Sequence, residues 1–87
     1  MDARVQLGEQ IRKLRTAKGL TLEELAFRAG MDYTHVSGIE RGRRNPSFAA
    51  LIDLAKALNV HPSELLTGIV VDGTTSPVPR RRGQVAK

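Results

Sequence analysis

At 87 residues with no cysteine, the chain has room for one small domain, which buries roughly 60–65% of the surface its unfolded form exposes. It can hold neither a disulfide nor a thiolate zinc site, and the lack of cysteine suits a reducing cytosol. No apolar run approaches the roughly 20 residues that span a bilayer, and MDARVQLGEQ at the start lacks a signal peptide's apolar stretch. The expectation is a soluble, cytoplasmic protein with no membrane partner.

The net charge of +5 is unevenly spread. Residues 1–68 carry 10 Lys/Arg and 8 Asp/Glu, whereas residues 69–87 set Arg80, Arg81, Arg82 and Lys87 against Asp72. Basicity by itself is therefore a poor guide to a polyanionic partner, and the placement of charge matters more.

Five helices are predicted. The first runs from about Ala3 to Lys18, with Leu7, Ile11 and Leu14 on one stripe and Arg4, Arg12, Lys13 and Arg15 off its centre; Gly19 is its natural stop. The second opens on the capping box Thr21-Leu-Glu-Glu24, buries Leu22, Leu25, Ala26 and Ala29, and ends at Gly30. Asp32 can cap the third, which runs to Arg41 and stops at Gly42. Asn45-Pro-Ser47 turns the chain into the fourth, where Phe48, Leu51, Leu54, Ala55 and Leu58 recur at helical spacing.

Asn59 suits a left-handed residue past the end of that helix. His61-Pro62 then opens a short fifth helix carrying Leu65 and Leu66 and ending at Gly68. The fold expected is all-α and compact, a five-helix domain over residues 1–68. Residues 69–87, turn-rich and basic, read as a flexible tail. A lesser alternative pairs Ile69–Val71 as a short strand with a second subunit.

On a helical wheel of residues 32–41, Val36 and Ile39 mark the buried side. Thr34, Ser37, Gly38 and Arg41 then face outward beside Tyr33. Hydroxyls can bond base edges and phosphates, and small residues let a backbone approach closely. Two short helices meeting at a glycine turn can place the second in a DNA major groove, and Arg41, Arg43 and Arg44 follow it at once. Any one of these features alone reads as a solvated surface; their combination points to DNA. Gly38 costs about 1 kcal/mol against alanine inside a helix. Close approach to DNA explains it better than helix packing, since the wheel turns it away from the core.

The motifs KGLTLEELA (18–26), AG (29–30), SGIERGRRNPS (37–47) and LAKALNVHPSELL (54–66) resemble the phage-repressor/Cro-type helix-turn-helix regulators, the XRE family, from about Leu7 to Leu66. SGIERG is also similar to the controller proteins of restriction–modification systems. The resemblance implies a bacterial or phage transcriptional regulator. It implies base-reading positions at Tyr33, Thr34, Ser37 and Gly38, and phosphate contacts at Thr21, Leu22, Arg41, Arg43 and Arg44. Leu22 stands where many members carry a phosphate-binding glutamine, which leaves only backbone N–H groups there. The resemblance further implies an ion pair between Arg15 and Glu40, for which the wheel's inward lean of Glu40 also argues; the plainer role for Glu40 is a surface partner of Arg43 or Arg44.

An enzyme is not expected. His35 and His61 lie 26 residues apart with no cysteine or carboxylate at metal-ligand spacing, and no phosphate-binding loop or nucleophile motif occurs. No catalytic residue, cofactor, metal or small-molecule effector is assigned. The expected partners are double-stranded DNA, at a pseudo-palindromic operator, and a second copy of the chain. Leu65, Leu66 and Ile69 are the candidate dimer interface, and repression follows from occupancy of a promoter. The alternative is an antitoxin-like protein-interaction module on the same fold.

Overall fold

The structure, a computed structural model, describes residues 2–71. Four α-helices follow one another: α1 (Ala3–Ala17), α2 (Leu22–Ala29), α3 (Tyr33–Glu40) and α4 (Phe48–Leu58), and a 3-10 helix, Pro62–Leu66, comes after them. There is no strand among the described residues. The fifth predicted helix is thus a single tight 3-10 segment and not an α-helix. Pro62 at its start and Gly68, with φ +81°, leave too few residues between them for α-helical bonding to propagate.

Each helix end has a local cause. Asp2 accepts from the Arg4 amide at 2.7 Å and opens α1. Thr21 and Glu24 close the predicted box on α2: the Glu24 N–H donates to Thr21 Oγ1 at 3.0 Å, and the Thr21 N–H donates to Glu24 Oε1 at 2.8 Å. Gly30 ends α2 at φ +69° and Asn59 ends α4 at φ +57°, the left-handed conformation that glycine and asparagine adopt most readily. Ser47 caps α4 by accepting from the Ala50 amide. Asp32 departs from expectation: it occupies the position before α3 but makes no side-chain capping bond.

The Glu24 carboxyl lies below its ordinary value, chiefly because it accepts the Thr21 backbone N–H and also bonds the Thr21 side chain. A carboxylate with a lowered folded-state pKa stabilises the fold above its unfolded value and loses that contribution as pH falls through the folded one. Glu24→Gln, which keeps an acceptor and removes the charge, is expected to melt below the parent at neutral pH. Thermal melts against pH should show that gap closing in acid, and a gap constant with pH contradicts the assignment.

The core comprises Leu7 and Ile11 of α1, Leu25, Ala26 and Ala29 of α2, Val36 and Ile39 of α3, Leu54, Ala55 and Leu58 of α4, and Leu65. α3 packs on α1 and α2, α4 packs on α2, and the 3-10 helix bridges α4 and α1. Two glycines permit the α1–α3 approach. A Cβ on Gly8 would lie 2.4 Å from the carbonyl oxygens of both Ile39 and Glu40, and one on Gly42 would lie 2.8 Å from the Val5 Cα.

Residues 69–71, read from sequence as the start of the tail, are fastened to the domain. Ile69 packs on the core. The Gln6 side chain donates to the Val70 carbonyl and accepts the Val70 N–H, both at 2.8 Å. These bonds occupy the Val70 backbone groups, one of the two edges through which a strand over 69–71 could pair with a second subunit. Arg80–Arg82 and the rest of the predicted tail, residues 72–87, lie outside the described residues.

Candidate nucleic-acid interface

The exposed side of α3 and the loop after it form one concave surface, bordered by Tyr33, Thr34, Ser37 and Gly38 together with Arg41, Arg43 and Arg44. Val36 and Ile39, buried completely or nearly so, fix the opposite side of the helix against the core. That rotation turns Thr34 and Arg41 to solvent and leaves Ser37 and Gly38 half-buried, with Tyr33 47% exposed.

The loop stays close because the Gly38 carbonyl accepts from both the Arg43 and the Arg44 amides, at 2.9 and 3.3 Å. Gly42, at φ +76°, makes the reversal. All seven residues singled out from the sequence around α3 are therefore brought together. None of the three arginines has an acidic partner among the described residues.

The structure gives Gly38 a reason that the sequence did not. A Cβ there would lie 2.5 Å from Cγ of Arg44 and 3.2 Å from its Nε. The absent side chain makes room for the arginine stem to lie across the helix, so Arg44, and not open space, covers this position. Because the obstacle is the Arg44 stem and not backbone, Gly38→Ala pushes that stem to another rotamer and should cost the fold little. Alanine should instead recover up to about 1 kcal/mol of helix propensity. Calorimetry should find the variant melting no lower than the parent, and a lower melt contradicts this role for the glycine.

Arg15 and Glu40 form a two-pronged pair. Arg15 Nε donates to Glu40 Oε2 at 2.7 Å and Nη2 donates to Oε1 at 3.1 Å, while Nη1 donates to the Leu20 carbonyl at 2.9 Å. The side chains are 14% and 7% exposed. The Arg15 guanidinium is held above its ordinary pKa, first by this hydrogen bonding. Glu40 is thus turned to α1 and is not a surface partner of Arg43 or Arg44. The pair joins the end of α3 to α1 and to the α1–α2 turn.

Thr21 is exposed and Leu22 half-buried against the core. The Thr21 hydroxyl is spent on the cap, so this end of α2 has only the N–H groups of Leu22 and Glu23 to offer, which helix geometry leaves without intrahelical partners. Leu22 also borders a second cleft, between α1, α2 and α3, with Arg12, Tyr33, Ser37 and Arg41 above the Arg15–Glu40 pair. In the sequence Arg12 lies off the apolar stripe with no role assigned to it; no spacing signal ties an α1 side chain to α3.

The three candidate interface residues separate. Leu65 is a core residue, 1% exposed, and is unavailable to a partner without unfolding. Leu66 is exposed, together with Val70, and Ile69 is half-buried.

A helix-turn-helix family model matches residues 11–65. A Sinorhizobium fredii protein named as an uncharacterized HTH-type transcriptional regulator, y4dJ, is 46% identical over 67 residues, covering 77% of this chain and 87% of that protein. The restriction–modification controller protein C.AhdI of Aeromonas hydrophila has a solved structure that is 50% identical, with a TM-score of 0.71, covering 71% of this chain and 94% of the other. The controller protein C.Esp1396I, solved as a tetramer with its natural 35 base-pair operator, is 34% identical, with a TM-score of 0.69, covering 75% of this chain and 86% of the other. With its capped α2, the turn at Gly30 and the arginine-flanked α3 in place, the chain belongs to the XRE-type helix-turn-helix family of DNA-binding transcription regulators.

Proposed function

We propose that this protein binds a pseudo-palindromic double-stranded DNA operator as a homodimer, with α3 in the major groove, and represses by occupying the promoter. The observation that carries the reading is the single surface on which the hydroxyl-bearing face of α3 meets three arginines, none with an acidic partner among the described residues. Tyr33, Thr34 and Ser37 offer hydroxyls to base edges, and at Gly38 the backbone and the Arg44 stem take the place of a side chain. Arg41, Arg43, Arg44 and the Leu22 N–H face phosphates, with Thr21 holding that end of α2 in shape. A single module of this size buries roughly 600–1,000 Å² on DNA, too little for strong specific binding alone, which argues for two copies. The operator-bound tetramer of C.Esp1396I supports assembly on DNA.

Leu66, Val70 and Val71, large and exposed, are the apolar residues of the C-terminal side that can meet a second copy, with Ile69 at the edge. Sedimentation at tens of micromolar, with and without duplex, tests the dimer. Only ~9.5 kDa species in both conditions contradicts it.

Arg43→Ala and Arg44→Ala are expected to weaken binding to every duplex about equally. Each should make the slope of log K against log salt shallower by about 0.9 per subunit, one phosphate contact. A loss confined to one base pair assigns that arginine to base reading instead. Gly38→Ala should also weaken binding, by displacing the Arg44 stem, although the fold is kept.

A further inference from the structure

We infer that Arg12 of α1 is a further DNA-backbone phosphate ligand, acting in the cleft between α1, α2 and α3 beside the Leu22 N–H. The inference rests on the DNA-binding reading above. The cleft is walled by Arg12, Leu22, Tyr33, Ser37 and Arg41 and floored by the Arg15–Glu40 pair. The Leu22 side chain brings no donor, so beside its backbone N–H the groups able to bind an anion are the two arginines and the two hydroxyls.

Charge gives Arg12 a large share in this cleft. Arg15 is neutralised by Glu40. That leaves Arg12 and Arg41 as the cations of the lining unpaired among the described residues, so Arg12 supplies half of the cleft's net positive charge. The Arg12 side chain is exposed and makes no ion pair or hydrogen bond among the described residues, so its five donors are free for a phosphate. Arg15 has already committed three of its own donors.

Position gives this charge a use. Tyr33, Ser37 and Arg41 border both the cleft and the α3 surface, whereas Arg12 borders only the first and Arg43 and Arg44 only the second. A helix in a major groove has a phosphate backbone on each side of it. Arg43 and Arg44 serve one side, and Arg12, carried by a different helix, serves the other.

The test compares the parent, Arg12→Ala and Lys13→Ala on one selected duplex. Lys13 is an exposed cation of the same helix that borders neither concavity, and it controls for overall charge. Arg12→Ala should keep the parent's melting temperature and show a salt slope shallower by about 0.9 per subunit, with Lys13→Ala close to the parent. Ethylation interference should locate the contact: one phosphate per half-site whose ethylation impairs the parent should cease to matter for Arg12→Ala. Equal slopes for Arg12→Ala and the parent, or equal losses for the two variants, overturn the inference and leave the DNA-binding reading intact. A parent that binds no duplex at low salt overturns both.

Discussion

Gly8→Ala is expected to remove a large part of the protein's stability and to leave a fraction of it unfolded at 37 °C. The added methyl would meet the carbonyl oxygens of Ile39 and Glu40 at 2.4 Å and the Glu40 carbonyl carbon at 2.7 Å. These are backbone atoms, so no rotamer change relieves the clash and the two helices must part. Their separation loosens Leu7 and Ile11 from Val36 and Ile39, and it draws Glu40 away from Arg15. Overpacking a core costs typically 1–3 kcal/mol and occasionally more. A clash on two fixed carbonyls, with an ion pair disturbed as well, belongs at the upper end. Small domains possess roughly 5 kcal/mol in all, and the helix propensity gained by alanine, about 1 kcal/mol, offsets little. Urea titration followed by circular dichroism measures the loss. A Gly8→Ala variant as stable as the parent shows that α1 and α3 do not approach as described.

Arg15→Ala is the second large effect. Removing one partner of a buried pair leaves the other charge unpaired and costs about 3–5 kcal/mol. Glu40, 7% exposed, is then stranded, and the Leu20 carbonyl loses its donor too. The variant should be partly unfolded at 37 °C and should fail to bind DNA through loss of fold. Replacing both partners by apolar residues, Arg15→Met with Glu40→Leu, should recover much of the stability, since well-packed apolar substitutes for a buried pair are often neutral or better. An Arg15→Ala variant that melts within a degree or two of the parent shows a solvated contact of little value.

The contrast between Glu40 and Gly8 shows what the chain reveals before it folds. Helix limits, the Thr21–Glu24 box and the turns at Gly30 and Asn59 depend on residues within four positions of one another, and they stand in the structure nearly where the pattern puts them. The α3 surface was legible for the same reason, because Tyr33 to Arg44 span little more than three turns. Arg15 and Glu40 are 25 positions apart, and only the family resemblance and the lean of one wheel position joined them.

Gly8 offered no local signal, because its purpose is the carbonyl end of a helix some thirty residues later. The role of Gly38 was hidden because it belongs to the Arg44 side chain, whose path is set by the loop at Gly42. Leu65 and Leu66 are neighbours in a segment too short for a period to show which one faces the core. A 3-10 turn instead of an α-helix buries the first and exposes the second. Arg12 became visible only when α1 and α3 were seen to share a cleft.

Selection of bound fragments from the native genome, followed by titration of the winners against salt, tests the central claim most directly. The account predicts enriched fragments that share an inverted repeat, with half-sites about 34–36 Å apart, one helical turn or a multiple of it. It also predicts an affinity that falls by orders of magnitude between low and physiological salt. No enrichment over input DNA at low salt, or a shared motif without two-fold symmetry, contradicts a dimer reading an operator through α3.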